Sequence, residues 1–134
     1  MEDVIEMLRE QGEETPVPLT LPEMDQLVEV QEQILIHLPE DLKVFLLEVS
    51  DVVYGSIEPV TVTDPSSHTY LPEVAAQAWH DGVEREYIAI CAHQGAYYCI
   101  DEYGEVRFWR QGEFEEEIWP SIWHWAKQVW LGMT

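Results

Sequence analysis

Basic residues are scarce in this chain: Arg9, Lys43, Arg85, Arg107, Arg110 and Lys127 are the only six among 134 residues, against 27 carboxylates. Nucleic-acid binding needs a basic patch that dominates a surface. Arg107, Arg110 and Lys127, the three bases able to approach one another, cannot outweigh that acidity, so nucleic acid is not an expected partner. Cysteine is scarcer still. Cys91 and Cys99 flank Gly95, and a hairpin centred there sets them on opposite faces or diagonally displaced, neither of which favours a disulfide. No CxxC, HExxH or clustered HxH pattern is present, and no glycine-rich phosphate cradle, so neither a metal nor a cofactor is expected. No apolar run approaches the length of a transmembrane helix, which removes the membrane as a partner. Met1 to Glu6 hold neither a basic stretch nor an apolar run, so a secretory signal peptide is not expected. Free thiols without an export signal point to a reducing cytoplasm.

What is abundant is acid together with aromatic side chains. The formal net charge is −21, yet the chain carries six Trp, six Tyr and three Phe. Disordered acidic tails lack such residues, because without them a chain cannot bury enough apolar surface to offset its ordering entropy. With 46% hydrophobic residues at this length, one core and one domain over residues 1–134 are expected. Within it, residues 1–20 read as an acidic N-terminal helix and loop extension. The folded object then presents a nearly continuous negative surface that repels nucleic acid and attracts a basic partner.

Periodicity divides the chain into helices first and strands later. Val4, Ile5 and Leu8 make an apolar stripe on a helix over Glu2 to Gln11, stopped by Gly12. Gly12 to Thr20, with Pro16 and Pro18, reads as loose. A second helix begins after Thr20 to Pro22, carries Met24, Leu27, Val28, Gln31, Ile34 and Leu35 at helical spacing, and ends before Pro39. Pro39 opens a third helix, where Glu40 and Asp41 suit the positive end of the dipole and Leu42, Phe45, Leu46 and Val49 form the buried face. Val52 to Val62, β-branched and aromatic around Gly55 and Pro59, predicts one or two strands. Thr63 to His68 is a polar loop. Glu73 to His80 predicts a short helix with Val74, Ala75, Ala78 and Trp79, closed by Gly82. Tyr87 to Ala92, Tyr97 to Ile100 and Val106 to Trp109, separated by turn residues, predict an antiparallel meander. A last helix begins at Pro120 and gathers Ile122, Trp123, Trp125, Ala126, Val129 and Trp130 on one broad arc, as core rather than as a cofactor site.

The order of these motifs resembles the SMI1/KNR4 branch of the SUKH superfamily. Leu38-Pro39-Glu40-Asp41-Leu42-Lys43-Val44-Phe45-Leu46 resembles that family's leucine-proline helix start, and Gly55-Ser56-Ile57-Glu58-Pro59 its first strand. Ile88-Ala89-Ile90, Gly95 to Asp101 and Gly104 to Trp109 resemble its central hairpins. Ser121-Ile122-Trp123-His124-Trp125 resembles its closing helix. The resemblance covers about Pro22 to Leu131. Ser50-Asp51-Val52-Val53 stands where the family often has an asparagine-glycine pair. The resemblance implies an α+β fold, a mainly antiparallel sheet flanked by N-terminal helices and a C-terminal helix, with no catalytic residues. It also implies a role: many bacterial members are immunity proteins that bind and neutralise polymorphic toxins, and fungal members are regulatory scaffolds in cell-wall signalling.

Candidate chemistry is thin beside that. Cys91 and His93 lie two apart on a strand and project to one face, but no nucleophile-turn signature accompanies them. Joined by His80 or His68 they could nominally hold zinc, without the spacing such sites use. A pocket converging on Cys91, His93 or Tyr97 would revive an enzyme or ligand-binding reading. Asp101 to Glu105 lacks the alternating oxygen ligands of a calcium loop. Carboxylates are so numerous that pairs of them do not signal a glycosidase. A binding surface is the stronger expectation. Glu113, Glu115, Glu116 and Glu117 cluster beside Trp119, interleaved with Phe114 and Ile118, and combine long-range steering with apolar anchors. Asp101 and Glu102 extend the acidity, and Trp109 and Trp79 are further candidate anchors, though either could equally be buried. The expected function is a cytoplasmic, non-catalytic immunity protein that masks a basic toxin domain such as a nuclease; the alternative is a regulatory scaffold of SMI1/KNR4 type that binds signalling proteins.

Overall fold

Four antiparallel strands in meander order carry the architecture, with helices on both faces, in a computed structural model that describes residues 1–15 and 19–133. Among the described residues the elements are α1 Glu2–Gln11, α2 Met24–Ile34, α3 Glu40–Val49, α4 Leu71–Asp81, β1 Ile88–His93, β2 Ala96–Ile100, β3 Val106–Arg110, β4 Glu113–Trp119 and α5 Ile122–Trp125. The last runs directly into a π-helical turn, Ala126–Trp130. This is the α+β fold with a meander that the sequence predicts. Pro16 and Pro18, expected in a loose segment, lie outside the described residues.

The strand turns follow from their residues. Gln94 and Gly95 have φ of 52° and 80°, and Gln111 and Gly112 of 54° and 89°. Positive φ at both central residues is the type I′ pattern, whose twist matches that of the flanking strands. The turn between β2 and β3 closes differently: Asp101 Oδ1 accepts from the backbone N–H of Tyr103 at 2.9 Å and of Glu105 at 3.0 Å.

One sheet face packs on α3 and the C-terminal helix. Phe45 of α3 lies 5.7 Å from Trp123 and 5.7 Å from Trp130, centroid to centroid, and Trp125 lies 5.4 Å from Tyr98 of β2. Trp125 and Phe45 are fully buried, and each such pair adds about 0.5–1.5 kcal/mol to area burial. The other face carries Tyr97 and Trp109, which are cross-strand partners, and is covered by α4.

Three expectations need correction, and the placement of α1, which the sequence leaves open, is set. The predicted strand over Val52 to Val62 is not a strand: only isolated bridges form, Tyr54 with Ile57, Pro59 with Cys91 and Thr61 with Tyr70. Pro59 has no N–H to give a ladder. The second helix ends before Pro39 as expected, but it does not include Leu35, which turns left-handed at φ 61° just after Ile34. It buries Leu27, Val30 and Ile34, while Met24 and Val28 stay exposed. Pro120 precedes the last helix rather than opening it. Ser121 is the N-cap, its Oγ accepting from the His124 N–H at 3.3 Å. α1 docks on the rest of the fold: Val4 and Leu8 lie in the core cluster, and Arg9 pairs with Asp51 at 2.6 Å and donates to the carbonyl of Glu48.

Candidate functional site

A fourth strand, unforeseen in the sequence, turns the acidic run of residues 113–117 into a sheet edge. Among the described residues β4 pairs with β3 on one side and with no strand on the other, whereas β1, at the opposite edge, is partly closed by the Pro59 bridge to Cys91. Glutamate is a poor strand former, so composition conceals β4. The Gln111-Gly112 turn, followed by Phe114, Ile118 and Trp119, is the signal that reveals it.

The pairing is not regular. Arg107 partners Ile118 and Trp109 partners Phe114, which leaves Phe108 alone opposite Glu115, Glu116 and Glu117. Two extra residues on the edge strand make a bulge larger than the common one-residue kind, a device that bends the strand and interrupts its ladder. The carboxylates of Glu113, Glu116 and Glu117 are exposed there, and that of Glu115 is half-exposed. Among the described residues Glu115 alone of these has an ion-pair partner, Arg110 at 2.7 Å. Both side chains of that pair face water, so it is worth at most about 1 kcal/mol.

The tryptophans expected as anchors are placed differently. Trp109 is 7% exposed and Trp119 is 6% exposed; Trp119 Nε1 donates to Gln128 Oε1 at 2.8 Å. Both belong to the core, on opposite and equally covered faces of the sheet: Trp109 shares the face of Tyr97, and Trp119 lies 5.7 Å from Tyr98 on the other. Trp79 is half-buried, donates to the Tyr87 carbonyl at 2.8 Å, and carries the Arg85 guanidinium 3.8 Å above its ring. Tyr87 in turn lies 4.5 Å from Phe114, over which Arg107 sits at 5.1 Å. The apolar surface available at the edge is therefore Ile118, 46% exposed, with half-buried Phe114 beside it.

Asp101 and Glu102 belong to the turn at the end of the sheet where β4 finishes, since Ile100 pairs with Val106 and Val106 with Trp119. Asp101 is half-buried and holds that turn, whereas Glu102 is exposed. A hydrogen bond from Tyr103 to Glu102, with that carboxylate's charge, pushes the exposed Tyr103 hydroxyl above its ordinary range. Glu86 is raised by a hydrogen bond with Glu84 and by its charge, and to a smaller extent by Glu102. The sequence reading missed Tyr103, an exposed aromatic beside two carboxylates.

Cys91 and Cys99 are both buried and free, and burial pushes each thiol up to about 12. A nucleophilic cysteine needs the opposite shift. Cys91 partners Tyr98 and Ala89 partners Cys99, so the two sulfurs are not set for a disulfide. Among the described residues no cluster of three His, Cys, Asp or Glu side chains is arranged to hold a metal ion. No helix is long and apolar enough to cross a membrane. A cavity of about 210 Å³ opens between Val52, Ile57, Pro59 and Trp130, and a shallower groove lies along α2. Neither is lined by Cys91, His93 or Tyr97.

Residues 1–131 match the sequence profile of the SMI1-KNR4 cell-wall family. No curated protein matches the chain. A crystallised protein from Pseudomonas syringae pv. tomato is 60% identical to it, superposes with a TM-score of 0.95, and is aligned over 98% of this chain and 99% of that one.

Proposed function

The chain belongs to the SMI1-KNR4 cell-wall family of the SUKH superfamily, and from that premise we propose that it is a non-catalytic immunity protein, working in the cytoplasm as one domain, that binds and neutralises a basic toxin domain such as a nuclease. The observation that carries this reading is the bulged outer strand β4, where Glu113, Glu115, Glu116 and Glu117 line an unpaired sheet edge. An open edge offers backbone donors and acceptors to any extended segment. Here the carboxylates select which segment can come close: a second acidic copy is repelled, and a basic one is drawn in from several ångströms away. Ile118 and Phe114 supply apolar contact at close range. Inhibition is stoichiometric, the acidic edge taking the place of an anionic substrate on the toxin surface. A 60% identical chain of matching length in a bacterium favours the bacterial role of the family over the fungal one.

The experiment is capture from the lysate of the source organism at low and high salt, using the chain and a variant with Glu113, Glu115, Glu116 and Glu117 changed to Gln. A basic polypeptide is expected that is released by high salt, is not captured by the variant, and arrests growth when expressed alone but not when expressed with this chain. Capture of the same polypeptide by both proteins at both salt concentrations overturns the acidic-edge mechanism. Acidic or neutral signalling proteins retained through high salt, none of them toxic, overturn the immunity reading in favour of a regulatory scaffold.

A further inference from the structure

α2 carries two apolar stripes, and only one of them is used by the fold. Leu27, Val30 and Ile34 enter the core. Met24 and Val28, four residues apart, stand on a second face about a quarter turn round the helix, and Leu35 follows at its C-cap. These three are 54%, 44% and 81% exposed and stand outside the buried core cluster. Val28 and Leu35, with Gln31, Glu32, Ile36 and His37, line an open groove of about 360 Å³.

Leu35 is the sharper observation. It occupies the C-cap of α2 with φ 61° and ψ 32°, its N–H donating to the Gln31 carbonyl at 2.8 Å. Glycine takes this position without strain, and a residue with a Cβ does not. The fold of the free chain thus gains nothing from leucine here: the backbone is strained and the side chain stands in water. Such an outlier is a pointer to function.

The rim says what fits. Glu23 at the N-cap and Asp25, Glu29 and Glu32 on α2 are exposed, and the helix contains no base. Arg85, which reaches this helix, is already engaged, with its guanidinium over Trp79 and a hydrogen bond to the Ile34 carbonyl. A second copy would bring the same four carboxylates against the first. We propose that the outer face of α2, centred on Leu35 and Val28, docks a basic amphipathic helix of a partner protein, its apolar side seated on the stripe and its Lys or Arg residues facing the acidic rim. This surface is separate from β4 and stands whether or not β4 binds a toxin.

The probe is a synthetic amphipathic Leu/Lys helix of about 18 residues, compared with its scrambled sequence and with a Leu/Glu counterpart. Binding to the whole chain is followed by fluorescence anisotropy and by amide chemical shifts. The Leu/Lys helix is expected to bind and to shift residues 24–37, the scrambled peptide to bind more weakly, and the Leu/Glu helix not to bind. Leu35→Gly is expected to weaken binding about tenfold or more with the melting temperature unchanged or raised. Val28→Lys, at an exposed site, should act in the same direction, while the β4 glutamine variant keeps affinity for the peptide. Unchanged affinity in Leu35→Gly, or shifts confined to β4, overturns the proposal. So does a dimer of the free chain, seen by light scattering and dissociated by Leu35→Gly, because the occupant is then a second copy.

Discussion

Tyr97 Oη donates to Asp81 Oδ2 across 2.6 Å, joining β2 to the last residue of α4. A carboxylate at a helix C-terminus opposes the dipole, and here two donors compensate it, since Gln77 Nε2 reaches the other oxygen at 2.9 Å. These bonds, Tyr97 foremost, hold the Asp81 carboxyl below its ordinary 3.8. Burial first, and the Asp81 acceptor second, push the Tyr97 hydroxyl well above its ordinary 10.0.

Tyr97→Phe is therefore expected to lower the urea midpoint at neutral pH. A carboxyl depressed in the folded state contributes stability above its unfolded value, and that contribution is lost as pH falls through the folded one. The difference between wild type and variant should hold steady from pH 5 to 8 and shrink below about 4. Above the ordinary tyrosine value near 10.0 the sign turns, since the unfolded phenol loses its proton first and wild-type stability declines. Urea titrations across pH test this; a difference that stays constant down to pH 2 rejects it.

Gly82 closes α4 at φ +123°, and a Cβ there would lie 3.3 Å from Trp109 Cζ2. Gly82→Ala meets both a disfavoured backbone and an indole already packed 6.1 Å from Tyr97. A loss of about 1–3 kcal/mol is expected in the unfolding free energy, and a change below about 0.5 kcal/mol would show that the helix end shifts freely.

Leu8 is fully buried although it belongs to the first helix. Leu8→Ala is expected to cost about 2–5 kcal/mol, and amide exchange in α1 to be protected to a degree similar to that in α3. Fast exchange of α1 with no loss of stability would mean that this helix is undocked in solution.

Burial holds the Cys91 and Cys99 thiols up near about 12. An aromatic disulfide reagent at pH 8 should leave both unmodified in the native protein and titrate both after denaturation. Rapid reaction of one thiol in the native state would contradict the packing of β1 or β2.

The helices were legible where local chemistry repeats. The bounds of α1, the inner face of α3 and the closure of α4 at Gly82 follow from spacing, a leading proline and a terminal glycine, none of which needs a distant partner. The type I′ turns likewise announce the meander. The acidic run was visible as charge but not as a strand, because β4 forms through pairing with β3 and not through propensity. The inner face of α2 was not separable from its outer one for a related reason. Met24, Val28 and Leu35 satisfy the helical period as well as Leu27, Val30 and Ile34 do, and periodicity does not say which stripe has something to pack against.

Composition sufficed to establish an acidic, aromatic-rich globular chain, and motif order sufficed to reveal its family, since both are properties of residue identity along the chain. Contacts between distant segments decided the rest: Trp109 and Trp119 as core, Glu115 to Glu117 as a bulged edge, and Leu35 as a strained, exposed side chain. Burial and strand pairing depend on what arrives from elsewhere in the fold. Linear spacing cannot carry that information when two faces of one helix, or two sides of one strand, are nearly equally apolar or equally charged.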